Sequence, residues 1–176
     1  MTEQAKMKSE DMVQFFSKLG AKDPEQWARS ELEEGIPQRA RFLFLRQAWK
    51  LVVDEADDTW IEKAIAQSKS RPHRPGAAIG PALERLIADG VSREDITAVI
   101  RVKQWELLAG LCYLLEDPGD VEPEAQDIVW QLFQLDEENR PIAAISGLHE
   151  SVLETDPTGR EMRPKQDGGP PERTSR

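Results

Sequence analysis

Apolar residues recur along most of the chain at spacings of three and four, the period of amphipathic helices. Met12, Phe15, Phe16 and Leu19 form the first such stripe. Ser9 is placed to cap its start, and Gly20 to end it in the left-handed conformation. Asp23 followed by Pro24 has the form of a cap with proline at the first helical position. It predicts a second helix through Trp27 and Leu32 to Gly35. Pro37 opens a third helix in the same manner. Its apolar positions, from Ile36 to Val53, spread almost all round the axis, which predicts a central helix packed by neighbours on several faces. One wedge of it stays cationic: Arg39, Arg46 and Lys50 lie within about 40° of one another by the helical period.

The later pattern continues in kind. A short helix is predicted around Trp60, Ile61, Ala64 and Ile65, and the prolines and glycine of 70–76 break regular structure. Gly80 and Pro81 start a helix through Leu83, Leu86 and Ile87 that Gly90 ends. Ser92 and Asp95 have the spacing of a capping box. They open the longest helix, about 93–116, whose second half is apolar on all sides and reads as a second central helix. The segment 128–146 has short apolar runs around a polar turn at 136–141, and a small β-hairpin is favoured there over a helix end. A last short helix is expected over 148–154. The fold class is therefore mainly α: a single-domain helical bundle around two central helices, about 37–53 and 93–116.

Composition adds limits. The chain has 176 residues, enough for one domain with a sizeable core. An acidic helical domain is expected over 1–156, followed by a flexible, disordered tail over 157–176. That tail is rich in proline, glycine and charge and has one large apolar residue, Met162. Net charge is −10, from 33 acids and 23 bases. Such a surface repels phosphate backbones, so nucleic acid is a poor partner. Cys112 is the single cysteine, which excludes an intramolecular disulfide and fits a reducing compartment. Met1–Lys8 lacks the apolar stretch of a signal peptide. The longest apolar run, Leu107–Leu115, is about half of what a membrane span needs. The expectation is a cytoplasmic protein without membrane association.

Candidate chemistry is sparse. His73, His149 and Cys112 lie far apart, and His149–Glu150 has no second histidine at the zinc-protease spacing. Ser146–Gly147 lacks the preceding glycine of a nucleophile elbow. Cys112, mid-helix among leucines, reads as a small buried hydrophobe with a raised thiol pKa. Carboxylate pairs are the best enzymatic option. Glu31 and Glu34 share one helix face, as Glu55 and Asp58 would, and two such pairs could hold Mg²⁺ through oxygen ligands. Over these four residues the pattern is similar to the paired Glu-x-x-Glu and Glu-x-x-Asp motifs of the all-α nucleotide pyrophosphatases. That resemblance implies a Mg²⁺-dependent nucleotide phosphohydrolase. In that family the second pair sits inside an amphipathic helix, whereas 54–58 reads as a helix end and turn.

Two further sites come from charge. Arg71, His73 and Arg74 precede a helix start and could hold an anion, although a solvated linker has the same composition. The cationic wedge of the third helix reads as structural, its side chains pairing with Glu31, Glu33 or Glu34. Five tryptophans are many for this length, and most should be core. Trp60, just after an acidic run, has the setting of an interface anchor. The leading reading is a non-catalytic acidic protein-interaction module, an adaptor or immunity-type binding protein, without cofactor. It would steer a basic protein partner with Asp54, Glu55, Asp57 and Asp58 and anchor it on Trp60.

Overall fold

The computed structural model describes residues 3–117, 119 and 123–165. Among them are seven α-helices, a short 3-10 turn at Pro123–Ala125 and one two-stranded sheet. The helices are α1 (Glu3–Lys18), α2 (Pro24–Glu34), α3 (Gln38–Trp49), α4 (Thr59–Ser70), α5 (Ile79–Ala88), α6 (Arg93–Leu114) and α7 (Leu148–Ser151). Strands β1 (Leu132–Leu135) and β2 (Pro141–Ile145) pair antiparallel, with Leu132 opposite Ile145 and an irregularity at Gln134/Leu135. The mainly α class with one hairpin inside 128–146 is thus what the chain adopts. No described helix is long and apolar enough to cross a membrane.

The chain divides into two compact units, residues 1–45 with 132–176, and residues 46–131. In the first, α1 packs on α2, and Met12, Phe16, Trp27, Ala28 and Phe42 form the buried core. Phe16 and Trp27 each meet Phe42 edge-on, with ring centroids 5.5 and 5.1 Å apart. Burying each such ring contributes roughly 2–3 kcal/mol, and an aromatic pair adds about 0.5–1.5 kcal/mol. The helix boundaries have local causes. Asp23 accepts the Gln26 N–H, Pro24 sits in the first turn, and Gly35 ends α2 at φ 71°. Helix α1 starts earlier than a Ser9 cap implies, because Glu3–Lys8 are all good helix formers. Arg39 of the cationic wedge donates to Glu31 at 2.6 Å, so that pairing is structural.

The first unit continues past Pro157. Asp156 is buried and accepts the Thr158 hydroxyl at 2.6 Å and the Met162 N–H at 3.0 Å, so the opening residues of the expected tail form a bonded turn. The segment 166–176 lies outside the described residues.

In the second unit α4 lies on α5. A Cβ at Gly80 would come within 2.4 Å of Ser68 Cβ, so the two helices approach closely where glycine allows it. Ile61, Leu83 and Ile96 are the core, with Trp60, Ala64, Ile65 and Ile87 packed against them. The turn after α3 is tied to α6 by two polar side chains. Arg101 donates to the Val53 carbonyl at 2.7 Å and lies over the Trp49 ring, and Gln104 accepts the Val53 N–H at 2.7 Å.

Candidate protein-docking face

Helix α6 is 22 residues long, about 33 Å at the α-helical rise. Ser92 caps it, accepting the Asp95 N–H, and Glu94 and Asp95 complement its N-terminal dipole. Its buried residues are Ile96, Thr97, Arg101, Leu108 and Cys112. At about 100° per residue, Leu107, Leu111 and Leu114 fall within about 60° of the line that Ile96 starts. Ile96 is 5% exposed beneath α4 and α5, whereas Leu107 is 64% exposed, Leu111 48% and Leu114 44%. One apolar line therefore begins in a core and ends on the surface. Where the sequence pattern predicts burial on all sides, the second half of α6 buries Leu108 and Cys112 and leaves Leu107, Leu111 and Leu114 exposed, while the core shared with Ile61 of α4 and Leu83 of α5 is met at Ile96, near the start of the helix.

The line extends beyond the helix. The Trp130 indole donates to the Leu114 carbonyl at 2.6 Å, satisfying one of the acceptors that a helix end leaves open. Trp130 itself stays 41% exposed, and Ile128 and Val129 before it are exposed too. Between Lys103 and Arg140 the chain has ten acids and no base. Lys103 is engaged by Glu106 at 2.6 Å. Opposite the exposed line, Cys112 is buried, and burial, with the Glu116 charge second, pushes its thiol up to about 11. It is a structural residue.

The residues singled out by sequence have mostly local duties. Asp54 accepts the Ala56 N–H and Asp57 the Thr59 N–H, so both fold their own turn. Thr59, bonding through its side chain and its N–H, lowers the Asp57 carboxyl below its ordinary range. Asp58 accepts from Arg93 at 2.6 Å, and Glu62 engages the same guanidinium. Glu55 is half-buried. Trp60 is half-buried against the α4–α5–α6 core and donates to the buried Thr97 hydroxyl at 3.1 Å, which makes it a packing residue more than an exposed anchor. Arg71, His73 and Arg74 are exposed, and Arg74 donates to Gln67 at 3.1 Å. Of the carboxylate pairs, Glu31 takes both the Arg39 N–H and its side chain, and Glu34 accepts from Ser30. Among the described residues no three His, Cys, Asp or Glu side chains gather as a metal site.

The first unit also holds a cleft of about 380 Å³, bounded by Glu34, Glu150, Glu154, Arg29 and Arg41 among others. Burial raises the Glu154 carboxyl above its ordinary range, with the Trp27 indole opposing. Three carboxylates and two guanidiniums share this cleft, so it selects neither sign of charge. The exposed end of α6 offers apolar area instead. Sequence reasoning passed over it, although its signal was present: an apolar run in the longest stretch free of bases. Comparison of the chain with family models, with curated proteins and with solved structures found no match.

Proposed function

We propose that this chain is a non-catalytic protein-interaction module that docks a partner with a basic surface on the C-terminal half of α6. The observation that carries this reading is the exposure of Leu107, Leu111 and Leu114 in line with the buried Ile96, continued by Trp130. Contiguous exposed apolar area rimmed by polar residues is the usual mark of an interface, and tryptophan is the residue type most enriched at binding hot spots. The net charge of −10 would raise the rate of encounter with a basic partner and repel acidic competitors. The phosphohydrolase reading loses ground, because Arg39 and Arg93 already neutralise Glu31 and Asp58.

A photo-crosslinking residue at position 111, with one at the exposed Leu86 as control, tests the proposal in cells. The expected result is one discrete adduct with another polypeptide from position 111 alone, lost when Leu107 and Leu114 are replaced by aspartate. An adduct indifferent to those replacements, or none, would overturn it.

A further inference from the structure

We infer that the cleft of the first unit is a binding site for a small zwitterion of the amino-acid class. Its carboxylate would meet Arg41 and the Trp27 indole, and its ammonium Gln38 and Glu34. The site is separate from the docking of a protein on α6 and does not depend on it.

The cleft lies wholly within the first unit, between α2, the start of α3, and α7 with the turn after it. Its volume of about 380 Å³ falls in the range of small-molecule sites, about 300–1,000 Å³. Three polar side chains form its floor. Trp27, Gln38 and Arg41 all line the cleft, and each is more than nine-tenths buried.

Two of these leave a polar atom unbonded. The Gln38 Nε2 donates to the Ser30 hydroxyl at 2.9 Å, and that hydroxyl donates on to Glu34 at 3.2 Å. This chain fixes which way the amide faces, so Oε1 is the group left over, a buried acceptor without a donor. The Trp27 indole faces Glu154 and opposes the rise of its carboxyl, yet Nε1 is buried outside hydrogen-bond geometry with any acceptor. Buried polar groups are normally bonded, because leaving them unbonded is destabilising. A spare acceptor and a spare donor on one cleft therefore call for a partner that carries both.

Charge narrows the class. Arg29 and the carboxylates of Glu34, Glu150 and Glu154 complete the argument from the rim. Among the described residues no ion pair joins Arg29 to these carboxylates. Arg41, which has partners of its own, is set beside Gly147, where a Cβ would come within 2.6 Å of its guanidinium. An anion alone would face three carboxylates, and a cation alone two guanidiniums. An ammonium and a carboxylate on one molecule answer both signs. They also match the spare atoms in kind, the ammonium donating to Gln38 Oε1 and the carboxylate accepting from Trp27 Nε1.

The test follows thermal unfolding of the full chain with each common L-amino acid in turn. At about 10 mM, one with a Kd of about 1 mM should raise the melting temperature by roughly 3–6 °C. Two analogues of the best binder, the acid without its ammonium and the amine without its carboxylate, should each shift it by less than about 1 °C. In the NMR spectrum the Trp27 indole N–H should move on titration, and that of Trp105, in the second unit, should not. Gln38→Met keeps the side chain's length and removes the spare acceptor, so it should fold and lose the thermal shift. Glu34→Gln, at the exposed rim, decides if that variant does not fold, and should weaken binding roughly tenfold.

No shift above about 1 °C from any amino acid would overturn the inference. So would equal shifts from the singly charged analogues, a Trp27 resonance that stays still while binding occurs, or a shift left unchanged in folded Gln38→Met or, failing that, in Glu34→Gln.

Discussion

The two halves of α6 carry the same kind of residue along the same line and meet opposite fates. Ile96 is sealed beneath α4 and α5, with Ile61 and Leu83 as its core partners. About three and four turns later Leu107 and Leu111 stand in solvent, although Leu108 and Cys112, their neighbours in sequence, are buried. The first half is held by packing and by the Trp60–Thr97 hydrogen bond. In the second half only the inner stripe is packed, and the outer stripe contributes little to the fold of this chain. An apolar stripe states a preference for burial. Whether it becomes core or interface depends on which element is there to cover it.

That contrast can be broken by substitution, and the largest effects belong to the first half. Ile96→Asp should cost more than about 4 kcal/mol, because it puts an unpaired charge into a closed core. Urea denaturation would read this as loss of the cooperative transition. A loss below about 1 kcal/mol would mean that α4 and α5 do not close over Ile96. Thr97→Val removes the acceptor of the Trp60 indole and should cost about 1–3 kcal/mol by the same measurement. Wild-type stability in that variant would return Trp60 to the role of free interface anchor.

Smaller effects sharpen the second half. Cys112 tests whether the inner stripe is truly covered. Its thiol is raised to about 11 in the folded state, so the folded chain holds the proton more tightly than the unfolded one. The stability contributed by the neutral thiol is therefore fully present below an ordinary thiol pKa and lost as pH rises through about 9 toward 11. Denaturation midpoints across that window should fall more for wild type than for Cys112→Ala. Equal slopes would show an exposed thiol. Gly110→Ala should raise stability by about 0.5–1 kcal/mol, or roughly 1–4 °C in melting temperature, since the added methyl meets open space. A destabilised variant would mean that something covers that face.

Much of this fold is legible in the sequence because its signals are local. Asp23 with Pro24 starts α2, Gly35 and Gly90 adopt φ 71° and 84° after helices, and Ser92 caps α6. The hairpin follows from the polar turn at Asp136, whose carboxylate accepts the Glu138 and Arg140 N–H groups. The site was less legible because its causes are distant. Position 58 shows an acid in a row of acids, but its partner Arg93 is 35 residues away. Trp60 reads as exposed from its charged neighbours, yet Thr97, 37 residues on, takes its N–H. The leucines of α6 read as core for the same reason: periodicity reports which face prefers burial and cannot count the elements available to bury it.

The most direct measurement takes the exposed line away altogether. In a Leu107→Gln, Leu111→Gln, Leu114→Gln variant, urea unfolding should give a free energy within about 0.5 kcal/mol of wild type per site, because no core contact is lost. A loss of about 2 kcal/mol or more per leucine would show that these side chains are buried in solution. The C-terminal half of α6 would then be core, and the docking face would not exist.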